Sequence, residues 1–237
     1  MKHLIETADS SSLATVPYDR IVLDSTVNDI IVKGGGYEYV DLGLPSGLKW
    51  AKCNVGAEKE TDYGYYFQWG DIKDKSNADC SWATYKHCNG SNTTLTKYGY
   101  DLGYGVADGK TTLDPEDDAA RAHMGGDWRM PTKDEIQELF NNKYTRFVLD
   151  GNFHGSGVSG CEIISEINGN SIFIPAAGYR HNGSTSGVDL YFEIWASSSG
   201  NGLSPDKAYS LTGNMEEGFY IGWKDRCYGL PVRGVFK

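Results

Sequence analysis

Apolar residues fall at helical spacing most clearly in PTKDEIQELFNN, where Ile136, Leu139 and Phe140 stand at i, i+3 and i+4 and form one stripe. Thr132 and, three residues later, Glu135 supply a capping box, so a helix is predicted to start at Thr132. A second helix is legible in LDPEDDAARAHMGG. Asp114 can cap it, Pro115 suits the first helical position, Glu116, Asp117 and Asp118 favour the positive end of the dipole, and Gly125 can stop it. The predicted span is 115–124.

Downstream the pattern changes to short strands. Residues 161–167 and 171–174 flank Asn168-Gly169, the pair favoured in two-residue hairpin turns because both central positions need positive φ. Further strands are predicted at 194–196, 208–211, 218–221 and 230–235, separated by Gly, Ser and Asn loops. At the other end, β-branched runs at 21–23 and 30–32 flank a polar turn and lead to Gly34, Gly35 and Gly36. Residues 1–36 therefore read as a hairpin arm with a flexible joint, and 37–237 as the main domain. A lone hairpin is marginal in water, so the arm should pack on that domain or on a second copy, which would make a homo-oligomer.

Composition sharpens this picture. With 237 residues the chain can bury a core without disulfides, and 30 glycines with 13% aromatic residues point to turns and ring packing rather than long helices. The formal charge of -10 disfavours nucleic acid and anionic membranes as partners. No run approaches the ~18 apolar residues that span a bilayer, and MKHLIETADSSS lacks an apolar signal core, which favours a virion or cytoplasmic location. The cysteines Cys53, Cys80, Cys88, Cys161 and Cys227 are odd in number and form no CxxC, so they read as reduced thiols, with a Cys80–Cys88 bridge as the alternative.

Little in the sequence points to catalysis or metal binding. Asp114, Glu116, Asp117 and Asp118 could hold calcium, but they match no EF-hand spacing, and helix capping accounts for them. His3, His87, His123, His154 and His181 are scattered, without a triad or ligand spacing. Residues 103–109 are Gly-rich yet lack the context and Lys of a phosphate loop, so they read as a turn. Trp128 is expected to fill a core and Arg129 to tie loops together. No catalytic residue, metal or cofactor is assigned.

Several phrases occur together: VDLGLPSGLKWA, NVGA, DYGYYFQWGD, PEDDAA, GGDWRMPT, PAAGYR, WASS, AYSL and GLPVRGV. In combination they resemble the major paralogous domain family of gut Bacteroidetes and their phages, over about residues 38–237. That family is similar to the formylglycine-generating-enzyme type of C-type lectin fold, and some members to the variable proteins of diversity-generating retroelements. The resemblance implies an α+β, C-type lectin-like domain with two helices, small antiparallel sheets and extensive ordered loops.

Retroelement-type members end in a variable stretch between a Trp-Ser-Ser-like phrase and an Arg-rich closing strand. By resemblance it corresponds here to 191–228, and the ligand-binding candidates are Tyr191, Phe192, Glu193, Phe219, Tyr220, Gly222, Trp223, Lys224, Asp225, Cys227 and Tyr228. Tyr and Trp suit such a surface because they give large contact area at low entropic cost. Glu193, Trp223 and Lys224 are not reached by adenine-directed change of an Asn codon, so they are fixed positions or the chain no longer diversifies. Trp195 and Tyr209 sit inside strand-like phrases and are expected in the core. Tyr220, Trp223 and Tyr228, beside Gly222, Lys224, Asp225 and Arg226, are expected to face outward, because burying those charges unpaired would be costly.

The implied function is recognition of a cell-surface protein or glycan, as at a phage tail-fibre tip, with no nucleic acid and no membrane insertion. Two alternatives stay open: a bacterial surface or adhesin domain without diversification, and a formylglycine-generating-type oxidase. The latter would need a reactive cysteine pair with copper, and Cys227 has no second cysteine nearby in sequence.

Overall fold

The computed structural model describes residues 21–22, 31–34, 36–100, 102–200 and 204–237. Its elements are short helices and small antiparallel sheets, an α+β arrangement. One sheet has the order β1 (Ile21–Val22), β2 (Ile31–Gly34), β3 (Tyr37–Asp41), β4 (Lys49–Ala51), β15 (Val235–Phe236). The two runs of the predicted arm thus pair with each other, and β2 adds to β3 of the main body in a register that sets Gly34 opposite Tyr37. Residues 1–20, with His3, and the tip of the arm lie outside the described residues, as does any contact they make with a second copy.

A second sheet runs β10 (Ser184–Ser186), β9 (Tyr179–His181), β14 (Gly229–Leu230), β5 (Phe67–Gln68). The third is β6 (Thr145–Asp150), β7 (Gly160–Ser165), β8 (Ser171–Pro175), and the fourth is β11 (Tyr191–Ser199), β12 (Lys207–Asn214), β13 (Gly218–Asp225).

The β7–β8 hairpin is present, but its turn differs from the expected two-residue type. Ser165 closes the hairpin with Asn170, its amide donating to the Asn170 carbonyl at 2.8 Å, while its hydroxyl donates to the Leu42 carbonyl at 2.7 Å and accepts from the Ile167 and Asn168 amides. The connection is therefore longer, and of the Asn-Gly pair only Gly169 takes a positive φ, +80°. The two-residue turn occurs instead between β9 and β10, where Asn182 and Gly183 have φ of +48° and +77° and His181 pairs with Ser184. The predicted strand 230–235 is also divided. It forms β14 and β15, separated by Pro231, which has no amide to donate, and by Arg233.

Helix α2 (Lys133–Glu138) carries the predicted capping box, with Thr132 and Glu135 satisfying each other's backbone amides. Arg129 grips Glu135 through two bonds of 2.7 and 2.6 Å, which holds that box in place. The other predicted helix is shorter than expected. Residues Pro115–Asp117 form a 3-10 turn, and α1 (Ala119–Met124) is capped by Asp118, whose carboxylate accepts from the Arg121 amide. Asp114 makes no capping bond, because its carboxylate is held by Lys97 and Lys110.

The apolar faces meet in two large clusters. One gathers Leu42, Leu48, Trp50, Ile136, Leu139, Ile163, Ile174, Phe192, Ile194 and Leu211 between α2 and the third and fourth sheets. The other gathers Phe67, Trp69, Tyr98, Trp128, Met130, Trp195 and Leu230 around α1. Trp195, expected in the core, is fully buried and donates its indole N–H to the Phe67 carbonyl at 2.8 Å.

Two arginines are also fully buried. Arg233 donates to the Ala51, Lys52 and Phe173 carbonyls and to Asn54, and burial pulls its pKa down to about 10. Arg226, expected near the surface, lies over the Trp69 ring at 4.6 Å and donates to the Lys207, Lys97 and Tyr98 carbonyls. The cost of burying it is offset by carbonyls and a π-face rather than by a carboxylate.

Candidate functional site

The fourth sheet shows how the recognition candidates are sorted. Side chains alternate across a strand, and the register sets Ile194 opposite Leu211, Leu211 opposite Ile221 and Gly213 opposite both Phe192 and Phe219. These residues share the face that packs on the core and α2. Gly213 is needed there, since a Cβ would overlap the Phe192 ring. Phe219 is pinned on the same face, stacked on Phe147 at 3.6 Å and tilted against Phe140.

At its far end this face leaves the core. Tyr209 pairs with Trp223, and Lys207 with Asp225, in adjacent registers. Trp223 is 56% exposed, and its ring meets Tyr209 edge-on at 6.3 Å. The Lys133 ammonium lies 4.7 Å over the Tyr209 ring, so Tyr209, expected in the core, is half-buried and helps to shape the surface. Lys207 and Asp225 form an ion pair with about a third of each side chain exposed. Burial works against the Lys207 charge, but the hydrogen bond to Asp225 outweighs it and raises the Lys207 pKa.

The opposite face of the sheet carries a second constellation. Glu193 is buried, and both of its oxygens accept from the Lys224 ammonium, at 2.8 and 2.6 Å. Burial pushes the Glu193 carboxyl pKa up, against the pull of Lys224. The same ammonium lies 4.0 Å over the Tyr179 ring and 5.6 Å from that of Tyr228, and Tyr228 stacks on His181 at 4.0 Å. An open groove of about 340 Å³ is lined by Tyr179, Lys207, Trp223, Lys224, Asp225 and Tyr228. A separate groove of about 360 Å³ is bordered by Tyr209, Lys133, Thr111, Thr112 and Ser198.

The chain gives no match to any family model, to any curated protein or to any solved structure.

Of the sequence-derived candidates, Tyr220, at 58% exposure, and Trp223 are open to solvent. Lys224, Asp225 and Tyr228 are partly exposed and line the groove beside Trp223, and Tyr191, also partly exposed, lies against Tyr179. Phe192 and Cys227 are fully buried and reach no surface, because each lies on the inward side of its segment; Gly222 is buried opposite Ser210. Glu193 reaches the site only through Lys224. Tyr179, His181, Lys207 and Lys133 were absent from the sequence-derived set. The Asn182-Gly183 turn signal could have marked Tyr179 and His181 as hairpin residues, but nothing local announces that this hairpin lies beside β13.

Elsewhere, Asp114, Glu116 and Asp117 converge, but on a lysine: the Lys97 ammonium lies 2.7, 3.4 and 2.6 Å from them. Lys86 and the Tyr98 hydroxyl also reach Asp117, and these bonds outweigh its burial and hold its carboxyl far below the usual range. Of the four acids only Asp118 caps a helix, in place of the expected Asp114. Cys80 and Cys88 are unbridged. Burial pushes the Cys80 thiol to about 11 and those of Cys161 and Cys227 to about 12. Among the described residues, no helix is long and apolar enough to cross a membrane.

Proposed function

We propose that the chain is a ligand-binding protein that recognises a cell-surface protein or glycan through the exposed end of its C-terminal sheet. The observation that carries this reading is the placement of Trp223, a large ring more than half exposed, on a hydrogen-bonded three-strand sheet, where it lines an open groove and contacts Tyr209, which borders a second. A rigid element that presents an aromatic side chain to solvent is a suitable anchor for a partner, since little order is lost on binding. The resemblance of its phrases to the major paralogous family supports the finer reading of a C-type lectin-like fold and of a phage or prophage retroelement variable protein. Oxidase chemistry is a poorer fit, because the thiols of Cys80, Cys161 and Cys227 are buried and held protonated, whereas a reactive thiol needs a lowered pKa.

The test is a panel of bacterial surfaces and glycans probed with the wild type and with Trp223→Ala. Capture by the wild type that is lost in the variant supports the reading; capture indifferent to Trp223 refutes it. Sequencing the locus addresses the retroelement reading, through a neighbouring reverse transcriptase and a near-copy repeat of the last coding segment.

A further inference from the structure

We infer that the ligand of this surface is an uncharged saccharide, seated on Trp223 and hydrogen-bonded by the Lys207–Asp225 pair. This deepens the recognition reading and rests on it. Trp223 and Asp225 are two positions apart on β13, so they share a face about 7 Å apart along the strand. Tyr209 and Lys207 face them across β12. The result is a ring platform with a donor–acceptor pair at its side. An apolar sugar face can lie on the indole while vicinal hydroxyls reach the ammonium and carboxylate.

The charge balance selects against an ionic ligand. Every charged group lining the groove beside Trp223 is already matched: Lys207 by Asp225, and Lys224 by the buried Glu193. An anionic ligand would compete with Asp225 and Glu193, and a cationic one with Lys207 and Lys224. Neutral hydroxyls need displace neither pair. Lys207 forms one ion pair with three donors available, and Asp225 offers a second oxygen, so both retain capacity. At about 340 Å³ the groove lies at the small end of ligand sites, the scale of one or two sugar rings.

The full-length protein should be screened on an array carrying neutral, sialylated, uronic-acid and sulfated glycans alongside bacterial envelope proteins. Neutral hits are then titrated calorimetrically at about 50 and 500 mM salt, a range over which exposed charge attraction is strongly screened. The expected result is binding of a neutral glycan that changes less than about twofold with salt and weakens at least about tenfold in Trp223→Ala. Asp225→Asn, which keeps the shape, should also weaken it, whereas Tyr37→Phe, remote from the groove, should not. Preference for acidic glycans with steep salt dependence, or Trp223-dependent capture of a protein alone, overturns the saccharide inference and leaves the recognition surface standing. Sugar binding unaffected by Trp223→Ala defeats both. Failure of every neutral glycan to bind at millimolar concentration overturns the inference.

Discussion

Replacing Trp195 and Trp223 by alanine, one at a time, compares one residue type at two positions of the same sheet. Trp195 is fully buried and its indole donates to the Phe67 carbonyl. Its removal leaves a large cavity, which costs about 3–5 kcal/mol for a buried aromatic ring. The carbonyl of Phe67, itself buried, also loses a donor, a penalty of about 1–3 kcal/mol where no water can enter. These contributions overlap, and a loss of about 4–6 kcal/mol is expected, comparable with the whole stability of many domains. Trp223 loses one edge contact with Tyr209 and the burial of less than half its surface, so its removal should cost about 1–2 kcal/mol. Urea unfolding followed by far-UV circular dichroism measures both, with the slope checked for constancy so that midpoints can be compared. Equal losses would refute the assignment of Trp223 to a surface role, as would a mild effect at Trp195.

Three other outcomes are expected. Asp118→Ala should lower stability by about 1–2 kcal/mol in urea unfolding, because the Arg121 and Met130 amides lose their acceptor, while Asp114→Ala should cost less. Asp117 has a depressed pKa, so its contribution is fully present above the usual carboxylate range and is lost as pH falls toward its folded value; wild-type stability should therefore fall more steeply below about pH 4 than that of Asp117→Asn, as read from urea midpoints across pH. Gly213→Ala should cost about 1–3 kcal/mol by thermal or urea unfolding, since the new methyl meets the buried Phe192 ring.

Local chemistry was enough for α2, because Thr132, Glu135 and the stripe of Ile136 and Leu139 all act within two turns of one another. The same is true of the strand-forming phrases around Ile194, Leu211 and Ile221, and of the outward placement of Tyr220 and Trp223 beside small and charged neighbours. Where local signals offered several equivalent answers, tertiary contacts chose. Asp114 was the expected cap, but Lys97 and Lys110 engage its carboxylate, and Asp118, directly before Ala119, caps α1 instead. Asn168-Gly169 and Asn182-Gly183 both carry the tight-turn signal, but only the second makes a two-residue turn, since at the first the Ser165 hydroxyl is drawn to the Leu42 carbonyl and caps a longer connection. Arg226 could not be placed from its neighbours at all, since the carbonyls of Lys97 and Tyr98 that make its burial tolerable lie 129 and 128 residues away. Periodicity and capping therefore determined the elements, whereas the fate of each charge, and with it the shape and charge pairing of the groove beside Trp223, was decided by partners that only the folded chain brings within hydrogen-bonding distance.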